Sequence, residues 1–271
     1  MGKGSYRNME GGREMKKQRV VMLGSGNVAT SLAMALKDNC DVVQIYSRSI
    51  DNARELAQKV DCEAINDMKK LDKKGDIYII SVKDDAIASV IDATPNNEAL
   101  WLHTSGSTPI EVFKGKRERY GVFYPMQSFS KSRIVDMSEV HIFIEGNSDK
   151  ATREINDFAS CLSENVHKAT SQERQQLHVA AVFACNFANH MFTLASEVLG
   201  EAGLPFEAML PLIKSTIEKL DHMTPQASQT GPAARGDTKI IEKHLSSLNG
   251  DKREIYRILS ESILRRKGFT S

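Results

Sequence analysis

A glycine-rich turn between a strand and a helix is the feature that most limits the folds open to this chain. The turn reads Gly24-Ser25-Gly26-Asn27-Val28-Ala29, follows the apolar run Arg19–Leu23 and opens the helical pattern of Asn27–Asn39. Its two glycines permit a tight turn and close approach of a ligand, and Ala29 lets the helix pack closely on the strand. The turn therefore predicts a pyrophosphate-binding loop at a helix N-terminus. The alternative is a degenerate fold that keeps the turn and binds nothing.

Strand and helix patterns alternate through residues 19–167. Strands are predicted at Arg19–Leu23, Val42–Tyr46, Asp76–Val82, Leu100–His103, Val122–Tyr124 and Val140–Glu145, and helices at Asn27–Asn39, Ser49–Val60 and Asp84–Ala93. This alternation predicts an α/β fold with a doubly wound, mostly parallel sheet of Rossmann type. Only helical patterns follow, at Ser171–Ala202, Pro205–His222, Asp237–Leu248 and Lys252–Lys267. We predict a disordered leader over 1–18, a nucleotide-binding domain over 19–167 and an all-α domain over 168–271.

The charge distribution bears on the partners of the chain. Six Lys/Arg and two acidic residues lie within residues 1–19, so the remainder of a chain with a net charge of +1 is three units negative. A mildly acidic body argues against a nucleic-acid partner, because binding nucleic acid needs a basic face. The basic leader is interpreted as solvated, and Met15 is a possible native start.

Apolar runs and cysteines bear on the compartment. The longest purely apolar run, Val179–Cys185, has seven residues, and no apolar segment of a signal peptide follows the basic N-terminus. A membrane helix needs about 20 apolar residues, so we expect a soluble, cytoplasmic protein without a membrane partner. The cysteines are Cys40, Cys62, Cys161 and Cys185. They form no CxxC pair, and we predict neither a disulfide nor a structural metal.

The end of the second predicted strand bears on the choice of nucleotide. It reads Tyr46-Ser47-Arg48-Ser49 and lacks the carboxylate that would bond the ribose 2′-hydroxyl of NAD. Arg48 is suited to a 2′-phosphate and to stacking on adenine, and the two serines can donate hydrogen bonds. We therefore predict NADP(H) rather than NAD(H). The alternative is that Arg48 is an exposed loop arginine.

Three segments carry a resemblance to a known family: Leu102–Ser107 (LHTSGS), Tyr124–Phe129 (YPMQSF) and Thr230–Asp237 (TGPAARGD), the last with His244-Leu245 beyond it. The chain resembles Rossmann-like NADP oxidoreductases of the coenzyme F420-dependent type that carry an uncharacterised helical C-terminal domain. More distantly, it is similar to pyrroline-5-carboxylate reductases and β-hydroxyacid dehydrogenases. The resemblance implies a Rossmann fold, a homodimer formed through the helical domain and a reductase activity. It implies no particular substrate.

The chain departs from these relatives at three points. Tyr124 stands where many relatives of the YPMQSF segment have His. The serine/threonine-rich signature of pyrroline-5-carboxylate reductase is not evident in the C-terminal domain. Asn186 is followed four residues later by His190, which is not the lysine-and-asparagine pair of β-hydroxyacid dehydrogenases. These departures count against both of those activities.

Candidate chemistry follows from the strand ends, because ligands of open α/β sheets bind at the carboxyl ends of the strands. Ser81, Val82 and Lys83 are expected beside the nicotinamide half of the cofactor, although Lys83 is equally plausible as a surface lysine. His103 is either a proton donor or a residue that only stabilises the turn. Ser105 belongs to a turn that either binds an anion or is a plain turn.

Further candidates lie beyond the sheet. Asn186 and His190 share one side of the long apolar helix and are either substrate or acid/base groups, or polar groups that bond a neighbouring helix. Gln127 is a candidate substrate contact, or a linker glutamine. Arg235 is suited to clamp a carboxylate or phosphate, with an Arg–Asp bridge as the alternative. For Asp237 we favour a helix N-cap.

These features lead to one functional prediction with two alternatives. We predict an enzyme that transfers a hydride between NADP(H) and a small carbonyl or imine substrate. The first alternative is a non-catalytic NADP(H)-binding regulator or scaffold, because a fold does not by itself define a function. The second is a coenzyme F420-dependent NADP reductase, for which the sequence contains no specific motif.

Overall fold

The structure is a computed structural model that describes residues 17–131, 133 and 135–269. The leader predicted over residues 1–18 and the start suggested at Met15 lie outside the described residues, apart from Lys17 and Gln18. The chain folds into two compact units, which meet in the sequence between Cys185 and Asn186. The domain boundary placed at residues 167/168 stays a prediction.

The first unit contains one eight-stranded sheet. Its strands are β1 (Arg19–Leu23), β2 (Asp41–Tyr46), β3 (Glu63–Ile65), β4 (Ile77–Ile80), β5 (Leu100–His103), β6 (Arg119–Pro125), β7 (Ile142–Gly146) and β8 (Val166–Lys168). They lie in the order β3-β2-β1-β4-β5-β6-β7-β8, and every neighbouring pair is parallel except β6 with β7. The order reverses between β1 and β4, which is the switch point where such sheets bind ligands. The predicted α/β fold of Rossmann type is confirmed.

Helices cover both faces of this sheet. They are α1 (Asn27–Leu36), α2 (Ile50–Val60), α3 (Asp84–Ala93) and α4 (Asp149–Ser160), and a further helix, α5 (Ser171–Ala181), follows β8. Successive residues of β1 point to opposite faces, so Met22 packs in one apolar core and Leu23 in the other. Each core therefore buries one side of the sheet, which explains the nearly continuous apolar runs of β1 and β4.

Local sequence signals set several helix ends as predicted. Ser49 is the N-cap of α2 and accepts a hydrogen bond from the backbone N–H of Asn52. The helix predicted over Asn27–Asn39 is shorter and ends at Leu36. Thr170 and Glu173 form a capping box at the start of α5, in which each side chain bonds the backbone of the other.

Three elements of the first unit were not predicted. Strands β3 and β8 have only three residues each, too few for a period-two pattern to be recognised. Helix α4 has a clear amphipathic pattern with Ala151, Ile155, Phe158 and Ala159 buried, and Ser148 as its N-cap. The sequence of α4 carries this amphipathic pattern, although the predicted elements do not include the helix.

The second unit is helical, as predicted. Its helices are α6 (Ala188–Glu201), α7 (Leu210–Glu218), α8 (Pro225–Ser228), α9 (Thr238–Ser247) and α10 (Gly250–Arg266). The residues predicted as one helix over Ser171–Ala202 are helical nearly throughout, but a π-helical segment at Val182–Phe187 separates α5 from α6. Asp237 caps α9 by accepting from the N–H of Ile240, which confirms the capping interpretation.

The second unit exposes many large apolar side chains. Examples are Leu204, Leu210, Leu212, Ile217, Leu220, Ile258 and Leu259, each at least 42% exposed. Among the described residues, one helical stretch, Ser171–Glu201, is long and apolar enough to span a membrane by length and composition alone. A core helix of a soluble protein meets the same criterion, so this is weak evidence for a membrane span.

Candidate functional site

A cleft of about 980 Å³ lies at the carboxyl ends of the strands in the first unit. Twelve of the residues predicted for the site line it: Gly24, Ser25, Gly26, Asn27, Val28, Ser47, Arg48, Ser81, Val82, Lys83, Ser105 and Gln127. They follow β1, β2, β4, β5 and β6, which are neighbours across the switch point of the sheet. The parallel topology therefore brings together segments that are about 100 residues apart in the sequence.

The two glycines of the turn have different roles. Gly24 has φ +137°, and a Cβ atom on it would lie 2.0 Å from the carbonyl oxygen of Ser81. Gly26 is the N-cap of α1, and no atom lies within 4 Å of the position that its Cβ would occupy. Gly24 thus permits the close contact between β1 and β4, whereas Gly26 leaves open space at the helix N-terminus.

That open space fits a pyrophosphate. No side chain caps the N-terminus of α1, and its first turn contains no acidic residue. The free N–H groups of this turn therefore face the cleft with the partial positive charge of the helix. An anion with several oxygen atoms is the ligand that such a site accepts.

The segment after β2 completes the nucleotide side of the cleft. Ser47 accepts a hydrogen bond from the Ser25 hydroxyl at 2.9 Å, which joins this segment to the glycine turn. Arg48 is exposed beside the cleft, and within the described part of the chain no hydrogen bond or ion pair engages it. A free guanidinium beside two hydroxyl groups fits a phosphate monoester better than it fits a bare ribose hydroxyl.

Two residues predicted for the cofactor site lie outside the cleft lining. Ala29 is completely buried beneath the turn, where its small side chain lets α1 approach the sheet. Ser49 uses its hydroxyl to cap α2 rather than facing the cleft. Both residues support the site by shaping its backbone.

The structure corrects the acid role considered for His103. Its side chain is fully buried, does not line the cleft and stacks on Phe113 with ring centroids 5.7 Å apart. Nδ1 accepts a hydrogen bond from the N–H of Ser105, so the imidazole stabilises the turn after β5. Burial and, secondarily, the charge of Arg174 lower the pKa of His103 to about 3. A neutral, buried imidazole cannot deliver a proton to a ligand in the cleft.

A tyrosine and a histidine meet at another part of the cleft. The hydroxyl of Tyr124, on β6, lies 3.3 Å from Nδ1 of His178, on α5. Both side chains line the cleft and are partly buried. Desolvation raises the pKa of Tyr124, so its hydroxyl stays protonated at neutral pH. The pair therefore presents exchangeable protons to the cleft.

A buried arginine holds the segments around this pair. Arg174 donates to the carboxylate of Glu145 at 2.6 Å and to the carbonyl oxygens of Ser105 and Thr108 at 3.2 and 2.6 Å. Its side chain is 1% exposed. Because Arg174 precedes His178 by one helical turn, these bonds fix the position of α5 beside the loop after β5.

Several lining residues were not predicted for the site, among them Tyr124, Lys131 and His178. Tyr124 belongs to the YPMQSF segment and was noted there only as a departure from relatives. His178 lies in α5 and belongs to no local motif, so only its contact with Tyr124 in the folded chain reveals it.

Asn186, His190 and Arg235 belong to the second unit. Asn186 and Arg235 are exposed there, and within the described chain Arg235 forms no ion pair, so the Arg–Asp bridge considered as the alternative for Arg235 is not observed. His190 lines a separate groove with Glu197 and Lys252. Catalytic roles for Asn186 and His190, and a substrate role for Arg235, stay predictions.

Two family profiles match consecutive parts of the chain. The profile described as NADP oxidoreductase coenzyme F420-dependent matches residues 19–101. The profile described as a domain of unknown function, DUF2520, matches residues 140–263. A search of curated proteins gives no match.

Solved structures extend the likeness to nearly the full chain. A Bacteroides fragilis protein described as a "putative NADP oxidoreductase" is 44% identical, with a TM-score of 0.86, and the alignment covers 92% of this chain and 99% of that one. A protein of Thermotoga maritima is 23% identical with a TM-score of 0.76, covering 93% and 100%. An imine reductase of Myxococcus stipitatus in complex with NADP+ is 12% identical with a TM-score of 0.62, covering 91% and 92%. The similarities to the Thermotoga and Myxococcus proteins concern the fold alone.

Identity over almost the whole length of the Bacteroides protein places this chain in the same family. NADP(H) is the nucleotide of that family, in agreement with the prediction from the segment around Arg48. The chain belongs to the family of NADP oxidoreductases that join a coenzyme F420-dependent-type nucleotide-binding domain to a C-terminal DUF2520 domain.

Proposed function

We propose that this protein is an NADP(H)-dependent oxidoreductase acting on a small carbonyl or imine compound. The observation that supports this most directly is that one cleft contains both an anion-binding helix N-terminus and a tyrosine–histidine pair. When bound, NADPH supplies the hydride for such a reduction. The chain itself binds and orients the reactants and supplies the proton.

The residues suited to hold the nucleotide lie on one side of the cleft. The N–H groups at Gly26 and Asn27 are suited to the pyrophosphate, and Ser47 and Arg48 to the 2′-phosphate. Tyr124 lies four strands from β2 in the sheet order, which corresponds to roughly 19 Å at the usual strand spacing. That separation suits a dinucleotide bound across the switch point with its reactive end near β6.

The substrate class rests on the donor pair and on the fold relationship. A protonated tyrosine can hydrogen-bond a carbonyl oxygen or an imine nitrogen, both of which gain a proton on reduction. The fold likeness to an imine reductase that binds NADP+ supports the same class. Lys83, at the N-terminus of α3, is suited to a substrate carboxylate, because it lines the cleft and no hydrogen bond or ion pair engages its ammonium group among the described residues.

Nucleotide titration tests the first half of this proposal. We expect NADPH to bind the purified protein at least about tenfold more tightly than NADH, because a phosphate–arginine pair contributes more than about 1.4 kcal/mol. Arg48→Ala should remove most of that preference and leave NADH affinity nearly unchanged. Arg54→Ala is the matched control, since Arg54 is exposed on α2, pairs with Asp51 and does not line the cleft. Failure to bind either nucleotide would refute the proposal.

Oxidation of NADPH tests the second half. Suitable probes are cyclohexanone, 1-pyrroline and pyruvate, which represent a ketone, a cyclic imine and a carboxylated ketone. Consumption of NADPH with any of them supports the proposal, and binding without turnover favours the regulator alternative. Coenzyme F420 is included as a second candidate reactant, because the family profile over residues 19–101 names it.

We propose that the protein is a cytoplasmic homodimer joined through the second unit. The large apolar side chains exposed on α7 and α10 support a second copy of the chain as their cover, because monomers rarely leave so many large apolar side chains of neighbouring residues exposed. Light scattering should give twice the chain mass, and Leu212→Asp should give the monomer mass. Lys214→Asp, on the same helix, is the control for charge alone.

A further inference from the structure

Tyr124 and His178 lie far apart in the sequence but are in contact in the folded chain. Tyr124 is the sixth residue of β6, and His178 is the eighth of α5, 54 residues further along the chain. The rings are arranged edge to face, with centroids 6.3 Å apart and an interplanar angle of 70°. This orientation points the phenol hydroxyl at the imidazole Nδ1 rather than stacking the two rings.

The neighbouring backbone is shaped to leave room for this contact. A Cβ atom on Gly106 would lie 2.9 Å from Nδ1 of His178 and 2.9 Å from Cζ of Tyr124. Arg174 fixes both the loop that carries Gly106 and the helix that carries His178, through Ser105 and Glu145. The pair is thus held from two sides by a buried ion pair and a close-packed glycine.

Burial and nearby charges determine whether the Tyr124 hydroxyl is protonated. Desolvation raises the pKa of Tyr124 most, the positive charge of Arg174 opposes this shift, and the negative charge of Asp84 adds to it. The hydroxyl is therefore neutral near pH 7. When Nδ1 of His178 carries a proton, it donates to the phenol oxygen and leaves the phenol O–H free to point into the cleft.

We propose that Tyr124 is the proton donor of the reaction and that His178 resupplies its proton. This inference rests on the proposed reduction of a carbonyl or imine. The Oη–H bond of Tyr124 breaks as an O–H or N–H bond forms on the substrate, while the hydride adds to the substrate carbon. The Nδ1–H of His178 then moves to the phenol oxygen, and solvent returns a proton to the imidazole.

Three variants separate this role from a structural one. Tyr124→Phe removes the hydroxyl, and Tyr120→Phe is its matched control, because Tyr120 lies on the same strand but does not line the cleft. His178→Asn keeps a side-chain hydrogen-bonding group near the phenol but cannot become charged. Each variant is compared with the wild-type chain for NADPH affinity by calorimetry, for the histidine signals by nitrogen-15 NMR and for turnover of the three probes.

The expected results differ between the variants. Tyr124→Phe should lower kcat by about 100-fold or more with NADPH affinity unchanged, as expected for loss of a general acid. It should also shift the His178 signals, whereas Tyr120→Phe should change neither kcat nor those signals. His178→Asn should lower kcat by a smaller factor than Tyr124→Phe, because the phenol hydroxyl remains and only its resupply through the imidazole is lost.

Some results would contradict only this inference, and others would contradict the proposed function as well. Wild-type kcat in Tyr124→Phe, or unchanged His178 signals in that variant, would overturn this inference and leave the proposed function in place. No turnover of any probe by the wild-type chain would overturn the proposed function, and this inference with it. NADPH affinity, measured independently, shows whether nucleotide binding survives in either case.

Discussion

Arg174 and Glu145 form an ion pair between α5 and the sheet, with nitrogen and oxygen 2.6 Å apart and the arginine side chain 1% exposed. The same guanidinium satisfies two carbonyl oxygens of the loop after β5. Such a buried charge is tolerated because every direction of the guanidinium meets an acceptor. The pair therefore connects α5 and the loop after β5, which both contribute to the cleft, to strand β7.

Glu145→Gln should destabilise the protein by about 3 kcal/mol, because it leaves a buried guanidinium without its counter-charge. Urea unfolding measures the free energy of unfolding of each variant. The control is Glu261→Gln, whose pair with Arg257 is about half exposed to solvent, so its loss should have little effect on stability. Equal losses in the two variants would show that Glu145 does not balance a buried charge.

Gly26→Ala should weaken NADPH binding without destabilising the fold. The residue has φ −78°, which alanine adopts easily, and its added methyl group would enter the open space at the N-terminus of α1. We expect about a tenfold or larger rise in the dissociation constant, equivalent to 1.4 kcal/mol or more. Calorimetric titration and thermal unfolding are the two measurements.

Gly24→Ala is the contrasting variant. Its Cβ would collide with the carbonyl of Ser81, and its φ of +137° is strained for any residue with a side chain. A loss of roughly 3 kcal/mol or more is expected. Gly115→Ala also replaces a glycine of positive φ but meets no atom within 4 Å, so it should lose only about 1 kcal/mol. Similar unfolding temperatures for the two variants would contradict the close contact at Gly24.

Gly106→Ala should disrupt the tyrosine–histidine contact and moderately destabilise the fold. The new methyl group would lie 2.9 Å from His178 Nδ1, so the imidazole must move away from Tyr124. Overpacking of this kind costs about 1–3 kcal/mol. The histidine NMR signals should shift and turnover should fall. Unchanged signals would mean that the imidazole does not occupy the observed position.

Burial of His103 should make stability depend on pH in the acidic range. Its pKa is about 3 in the folded protein, against 6.5 for an unperturbed histidine. Between these values the unfolded chain binds the additional proton. The contribution is therefore fully present above pH 6.5 and is lost as the pH falls towards 3.

His103→Asn keeps an acceptor for the N–H of Ser105 but removes this titration. The free energy of unfolding of the wild-type chain should fall faster with decreasing pH than that of the variant, by up to about 1.4 kcal/mol per pH unit. Denaturant unfolding at pH 4, 5, 6 and 7 measures the difference in slope. Parallel curves would show that His103 is protonated in the folded state or solvated.

Sequence patterns were sufficient to predict the structural features that depend on residues close together in the chain. Strand β1, the glycine turn, the N-cap at Ser49 and the cap at Asp237 depend on residues within one helical turn of each other. Arg48 lines the cleft as predicted, because it comes directly after β2. Short strands such as β3 and β8 could not be recognised, because they are defined by their pairing with longer strands.

The sequence by itself determined the Rossmann-type fold class of the first unit, the helical second unit and the nucleotide class, because each depends on periodicity or on a contiguous motif. Only the tertiary structure decided the chemistry of the cleft. His103 and Tyr124 are both ionisable residues near strand ends. Folding buries the side chain of His103 completely and places the hydroxyl of Tyr124 beside His178. Burial and contacts across 54 residues arise from packing, which no local pattern encodes.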